Sequence, residues 1–270
     1  MYSERRDLLG WTWDDAQSEL EPWSLQSEPR PQAYRYADTM YFRLESSGWL
    51  AAQGKMCVRY ARVCSPKVDI ATLMIYPTAG AEHIPVFASE WLIVGAQCQR
   101  VVLDIEPAAP SLHVARTLPA VCRALGEKWQ KHLPTHTPFS PWFATLAQPW
   151  AIHSGCDVSA LAMLRESFQD YLQTYIQLVN AALPTSPSGM DAVSVTQYKR
   201  HHAEHFPGRV FLARVLGEEW VDTYLYEHHF GRTQNTPSFH SPVSGASSDN
   251  LSVSTRDSVV LSSKPAASAY

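Results

Sequence analysis

The feature that most constrains this chain is a succession of strand-like runs in its first hundred or so residues, with only short turns between them and no long helical pattern. Three runs fill the stretch from Ala33 to Tyr76: YRYADTMYFRLES, GKMCVRYARVCS and KVDIATLMIYP, divided by Gly48, Gly54 and Ser65-Pro66. Two more follow, Val86 to Val94 and Arg100 to Ile105, joined by Gly95-Ala96-Gln97. They are rich in β-branched and aromatic residues, which suit a pleated surface. Connections this short pair successive strands antiparallel. The expectation is a meander of about five strands that closes with a hairpin.

After Pro107 the period changes. Leu118 to Leu133 reads as a helix with Leu118, Val121, Cys122, Leu125 and Trp129 on one face. A Pro- and aromatic-rich bridge, THTPFSPWFATLAQPW, leads to the longest helix candidate, Ser159 to Leu183, which Pro184 stops. Its stripe of Leu161, Leu164, Phe168, Leu172, Tyr175, Ile176 and Val179 reads as core. Asp191 to His205 forms a further helix ending near Pro207, and Gly217-Glu218-Glu219-Trp220 opens a last one that runs to about Phe230. Strands first and helices later point to an α+β fold with an antiparallel sheet, not a doubly wound parallel one. Residues 1–32 read as an irregular or briefly helical lead-in anchored by Trp11, Trp13 and Trp23, residues 33–232 as the main domain, and residues 233–270 as a Ser-rich tail expected to be disordered.

Composition narrows the function. A formal charge of −4 lacks the basic surplus of a general nucleic-acid binder. The five cysteines form no CxxC pair, so no iron–sulfur cluster or zinc knuckle is signalled, and their odd number fits a reducing compartment. No apolar run approaches the ~18 residues that span a bilayer, and MYSERRDLLGW lacks the apolar region of a secretory signal. The expectation is a soluble monomer, cytoplasmic or in the plastid stroma of a eukaryote, with no membrane or nucleic-acid partner. Neither GxGxxG nor GxxxxGK[ST] occurs, so nicotinamide nucleotide and ATP lack their usual phosphate cradles. An oxidoreductase without bound nucleotide, flavin or cluster has to receive its electrons from another protein.

The chemistry centres on Tyr76 to Pro107. Strict alternation puts Val86, Ala88, Glu90 and Leu92 on one face of the first hairpin strand and Phe87, Ser89, Trp91 and Ile93 on the other. Glu90 thus shares a face with apolar neighbours, where a carboxylate is either paired or kept partly neutral by desolvation and is able to hand over a proton. The plainer reading is an exposed Glu on the solvent side of a half-buried sheet.

Several runs occur together in a telling order. Tyr76-Pro77, Ile84-Pro85-Val86-Phe87-Ala88-Ser89-Glu90 and Leu103-Asp104-Ile105-Glu106-Pro107 resemble the central sheet of the ferredoxin-dependent bilin reductases. Phe139-Ser140-Pro141-Trp142-Phe143 is similar to their FSPWF bridge, and Tyr198 with HHAEHFPGRVFLARVLGEEW, Tyr224-Leu225 and Phe230 is similar to their closing helices. The resemblance spans roughly Tyr34 to Phe230; red chlorophyll catabolite reductases are distant relatives. It implies a three-layer α/β/α sandwich that reduces a linear tetrapyrrole, biliverdin IXα or its 15,16-dihydro derivative. It also implies electrons delivered singly by reduced ferredoxin and no bound metal or flavin. Further partners it implies are haem oxygenase or a following bilin reductase.

The departures from the pattern matter too. Glu90 stands where most members carry a proton-donating Asp, and red chlorophyll catabolite reductases carry Glu there. A second functional Asp is replaced by Phe206, beside Glu204 and His205, which are candidates to take over its role. Thr72 aligns with the His of phycocyanobilin-forming members, which puts that four-electron route in doubt. A flat ligand with two propionates calls for an aromatic slot, with Phe87, Trp91, Trp142, Phe206 and His83 as candidates, and for cations, with Arg59, Arg62, Arg200 and Arg209 as candidates. Lys199, Arg200, Arg209 and Arg214 are expected to make a positive docking face for an acidic ferredoxin. Two other readings compete: a bilin or haem carrier without turnover, and a zinc peptidase-like protein in which His201, Glu204 and His205 form an HxxEH pattern.

Overall fold

The computed structural model describes residues 7–78, 81, 83–108, 120–133, 144, 146–183, 193–206 and 208–231. Its strands are β1 (Gln26–Ser27), β2 (Tyr36–Asp38), β3 (Arg43–Ala51), β4 (Met56–Cys64), β5 (Val68–Pro77), β6 (Val86–Val94), β7 (Gln97–Glu106) and β8 (Ile152–Asp157). They form one antiparallel sheet in the order β1-β3-β4-β5-β6-β7-β8, with β2 also paired to β3. The helices are α1 (Trp11–Leu20), α2 (Ala120–Trp129), α3 (Leu161–Ala182), α4 (Val193–Glu204), α5 (Arg209–Leu216) and α6 (Glu218–Thr223), followed by a π-helical turn at Tyr224–His229. None of the described helices is long and apolar enough to cross a membrane.

Alternation along each strand sorts side chains onto two faces, and both are covered. On the first, Phe87, Trp91 and Ile93 of β6 and Val101, Leu103 and Ile105 of β7 have no exposed surface. Phe168 of α3 meets Trp91 and Phe87 edge-on, with ring centroids 6.2 and 6.0 Å apart, and Trp11 of α1 packs on Trp91 at 5.5 Å. Complete burial of one such ring contributes about 2–3 kcal/mol. The Tyr175 hydroxyl donates to the carbonyls of Ile75 and Pro85, so α3 is pinned to the sheet at its polar backbone as well. On the second face Met74, Tyr76, Val86 and Ala88 pack against Tyr198 and Ala203 of α4, Leu212 of α5 and Leu225 and Phe230 beyond α6. The result is the three-layer sandwich expected.

Several local expectations need refinement. The lead-in takes the briefly helical of its two expected forms: α1 lies on α3, where Arg165 grips Asp15, and the Trp23 indole donates to Asn180. Gly48 does not divide two runs but sits inside β3, where a Cβ would come within 1.9 Å of Arg30 Nη2 and 2.7 Å of Arg59 Nη1. Two features went unforeseen, β8 and α5. β8 has only six residues, and its alternation is obscured by His153, Ser154 and Gly155. α5 begins directly after the 201–205 helix end, so its RVFLARVL pattern reads as mere continuation. The Ser-rich tail and the FSPWF bridge with Trp142 lie outside the described residues.

Candidate functional site

Glu90 sits on the second face, the one covered by α4 to α6, with Thr72 of β5 and Val102 of β7 as its cross-strand neighbours. His153 of β8 pairs with Val102, so Thr72, Glu90, Val102 and His153 form one row across four strands. Expected apolar surroundings are only part of the picture. Arg100 Nη1 donates to Glu90 Oε1 at 3.0 Å, and the Glu90 side chain keeps 26 % of its surface exposed. The carboxylate is therefore paired and hydrated, not sealed in hydrocarbon.

A β-bulge makes that pairing possible. β7 pairs Cys98 with Ile93 but Arg100 with Leu92, so Gln99 is an extra residue in the ladder. Without it Arg100 would share the Cys98 face, pointing into the first layer. The inserted residue turns Arg100 onto the Glu90 face and returns Val101, Leu103 and Ile105 to the other core. Alternation along Arg100 to Ile105 gives the face of Arg100 but not the cross-strand register that makes it the partner of Glu90, and His153 was not singled out.

Beyond the bulge, the same face of β7 carries two acids in succession, Asp104 and Glu106, with 0 % and 1 % exposure. Asp104 accepts from the backbone N–H groups of Ile105 at 2.8 Å and Gln148 at 3.0 Å. Burial raises its pKa, with those two bonds opposing. Among the described residues neither Glu106 oxygen nor the Tyr198 hydroxyl meets strict hydrogen-bond geometry, although Tyr198 of α4 lies close enough to Glu106 to oppose the rise of its pKa. Burial first, then the neighbouring Asp104, hold Glu106 well above the ordinary carboxylate range. The sequence did show these acids at alternate positions of LDIEP; what hid their state is that nothing local says which face α4 covers.

The remaining candidates divide between the faces. Phe87 and Trp91 lie in the first core against α3 and cannot share a pocket with Glu90. His83 is also on that side, where its Nε2 is 3.2 Å from the carbonyl of Ala182 at the end of α3. Arg62 is another correction: it is held by Asp69 at 3.0 Å and Asp7 at 2.8 Å. On the second face are Thr72, whose hydroxyl bonds the Ala61 carbonyl, Arg59, which is buried, and Phe206, which packs edge-on to His229 and Phe230. Arg209 is occupied by Asp222 and Glu218, and Lys199 is turned inward over the Tyr76 ring at 4.3 Å, so neither offers a free charge to a docking partner. Arg200 and Arg214 are exposed.

The two histidines of HxxEH lie side by side at the end of α4, ring centroids 4.5 Å apart. His205 Nδ1 bonds the main-chain carbonyl of His201 at 2.8 Å, one turn back along α4, and Glu204 and His205 are exposed. Among the described residues no group of three or more His, Cys, Asp or Glu side chains is disposed to hold a metal ion.

Comparison with known proteins agrees with this architecture. The family profile described as ferredoxin-dependent bilin reductase matches residues 38–231. Phycoerythrobilin:ferredoxin oxidoreductase of Synechococcus sp. (strain RCC307) is 26% identical over 250 residues, covering 83% of this chain and 92% of that one. The enzyme of the same name from Parasynechococcus marenigrum (strain WH8102) is 27% identical over 249 residues, covering 81% and 91%. A crystal structure of tomato phytochromobilin synthase in complex with biliverdin superposes with a TM-score of 0.67 at 18% identity, covering 83% of this chain and 81% of that one, a likeness of fold. With the profile spanning β3 to β8 and all the helices from α2 onward, well over half of the chain, the chain belongs to the family of ferredoxin-dependent bilin reductases and is an enzyme of that class.

Proposed function

We propose that this enzyme reduces biliverdin IXα or 15,16-dihydrobiliverdin, taking electrons one at a time from reduced ferredoxin and a proton from Glu90. The observation that carries the reading is Glu90 itself, a carboxyl on the helix-covered face at the strand position where the family's proton-donating acid stands, with Arg100 at 3.0 Å. Each electron added to the conjugated tetrapyrrole makes it more basic, and a proton from Glu90 then neutralises it. Arg100 holds the carboxylate left behind, so charge separation at the moment of transfer is offset by an ion already in position. Partial exposure gives Glu90 access to water for its next proton. Two electrons and two protons reduce one double bond; the second proton comes from water or from another acid on the same face.

Tyr76, Met74 and Ala88 on the sheet and Phe206 and Phe230 on the helical side offer the apolar and aromatic surface that a flat ligand needs. The test is anaerobic incubation of the bilin with the enzyme and a ferredoxin-reducing system, read by absorbance and product chromatography. The expected result is a two-electron product that does not form without ferredoxin. Binding near 1:1 without any product would overturn the proposed reaction. Glu90→Gln should keep bilin binding and lower turnover by roughly 10²–10⁴-fold; unchanged turnover rules out Glu90 as the donor.

A further inference from the structure

Directly in front of the Gln99 bulge, on the face of the sheet opposite Glu90, stands a pair of nucleophiles that the proton transfer does not use. Cys98 of β7 and Cys156 of β8 are register partners across the antiparallel ladder. Directly opposed residues of such a pair have Cα atoms ~4.5–5.5 Å apart and side chains on one face. That separation lies inside the ~4.4–6.8 Å that disulfide geometry accepts. Cys98 is 1 % exposed within the first-layer core, and Cys156 packs at the margin of that core with part of its surface open. The two side chains are close enough for each thiol to act on the other's titration. No other two cysteines are opposed in this way. Cys57 faces Leu50 and Tyr76, Cys64 faces Arg43 and Asp69, and Cys122 lies on α2. All five are free thiols.

The place of the pair in the ladder ties it to the site. The Cys98 thiol donates to the Arg100 carbonyl at 3.5 Å, across the bulged residue, and Arg100 is the side chain that holds Glu90 at 3.0 Å. A disulfide sulfur has no hydrogen to donate. Joining Cys98 to Cys156 therefore removes a bond that fixes the bulge and draws the β7 backbone towards β8 at the point where Arg100 takes its direction. β8 ends the sheet order, and Cys156 is the thiol that a reagent from solution can reach. Cys98 is the buried thiol that can resolve what forms there.

We propose that Cys98 and Cys156 form a reversible dithiol–disulfide site, oxidised by low-molecular-weight disulfides such as glutathione disulfide, and that the bond loosens the Arg100–Glu90 pair from behind. The link to Glu90 rests on the donor role proposed above; the site itself does not. In the first step Cys156 gives up its proton and its sulfur attacks one sulfur of the small disulfide, whose other half leaves as a thiolate and takes up that proton. The Cys98 sulfur then displaces the remaining half in the same manner. The two protein thiols lose two electrons and two protons, and the small disulfide gains both and departs as two thiols. Burial first, and then Cys156, push the Cys98 thiol up to about 12, and burial raises Cys156 too, with Cys98 opposing. Both groups are thiols and not thiolates at neutral pH, so exchange starts slowly, and its second step is helped by the fixed approach of the two strands.

The test equilibrates the full-length enzyme in glutathione buffers of graded thiol-to-disulfide ratio, quenches with acid, alkylates and maps the peptides by mass spectrometry. A Cys98–Cys156 cross-link should appear as the disulfide fraction rises and vanish with dithiothreitol, while Cys57, Cys64 and Cys122 are recovered alkylated. Cys98→Ala should stop at a glutathione adduct on Cys156, and Cys156→Ala should leave Cys98 unmodified. Absence of the cross-link at every ratio, or its formation only in urea, overturns the site. After removal of glutathione, biliverdin turnover with reduced ferredoxin should be severalfold slower for the cross-linked enzyme than for the reduced one. Dithiothreitol should restore it, and Cys156→Ala taken through the same treatment should show no change. Undiminished turnover by the cross-linked enzyme overturns the link to Glu90. Reduced enzyme that makes no bilin product overturns the bilin reading and the link with it, while the cross-link map still decides the site.

Discussion

Glu106 offers a quantitative test of the buried acids. The group is 1 % exposed, neither oxygen has a partner of strict hydrogen-bond geometry among the described residues, and its pKa is raised well above the ordinary value by burial and by Asp104, with Tyr198 opposing. In the unfolded chain a Glu releases its proton near pH ~4.3. A carboxyl that stays protonated in the fold above that pH binds one more proton folded than unfolded, so stability falls as pH rises, at about 1.4 kcal/mol per pH unit. The stability associated with Glu106 is thus fully present below about pH 4 and is lost on the way up to its folded-state value. Over each pH unit in which the fold keeps that proton the loss is about 1.4 kcal/mol, against the ~5–15 kcal/mol of a typical domain. Glu106→Gln removes the titration. Its amide enters a site without partners and costs about 1–3 kcal/mol, but at every pH alike. The assay is urea unfolding followed by tryptophan fluorescence at pH 5, 6.5 and 8 for both proteins. The mutant should lose less stability than wild type as pH rises, the difference growing by at most about 1.4 kcal/mol per pH unit. Asp104 and Tyr198 face Glu106 and are electrostatically coupled to it, so Asp104→Asn and the Glu106→Gln/Asp104→Asn double variant are measured alongside to separate the Glu106 contribution. Parallel stability curves would refute the argument, because they would mean that Glu106 is ionised or hydrated in the fold.

Histidine should act in the opposite direction. Burial, followed by the charges of Arg30 and Arg59, lowers the pKa of His229 to about 3, so the unfolded chain takes up a proton below pH ~6.5 that the fold refuses. Stability should drop as pH falls from about 6.5 towards 3, and His229→Phe should flatten that drop in urea titrations. Gly126→Ala would gain about 1 kcal/mol of helix propensity in α2. The new Cβ would sit 2.6 Å from Trp150 Cα and 3.0 Å from its carbonyl oxygen, backbone that cannot yield cheaply. A net loss of about 1–2 kcal/mol in thermal or urea unfolding is expected. For the electron donor, Arg200 and Arg214 remain exposed after Lys199 and Arg209 are spent internally. Reversing both to Glu should weaken turnover at low salt and flatten its ionic-strength dependence, whereas a profile identical to wild type counts against that surface. His201→Ala should leave activity and stability within about 0.5 kcal/mol, and one tightly bound zinc lost with that histidine would contradict it.

Period two in residues 33–107 and apolar stripes at helical spacing were enough, without coordinates, to determine an antiparallel meander, helices on its faces and the placement of Glu90 away from Phe87 and Trp91. These features are local: a strand or helix imposes its period on every residue within it. The order of the motifs pointed to the family for the same reason, since it too is written along the chain. What only the tertiary structure decided is who faces whom. A single extra residue, Gln99, keeps Arg100 on the Glu90 face while Cys98 stays on the other; alternation within Arg100 to Ile105 gives the same face but not the register that brings Arg100 to Glu90. Arg59, Arg62 and Lys199 look alike as isolated cations, yet Arg62 is neutralised by Asp69 in the first layer, while Arg59 and Lys199 meet at Gly231 from elements 140 positions apart in sequence. Asp104 and Glu106 read as ordinary strand acids until α4 closes over them. Desolvation and charge balance depend on the sum of neighbours brought in by the fold, and no window along the chain contains that sum.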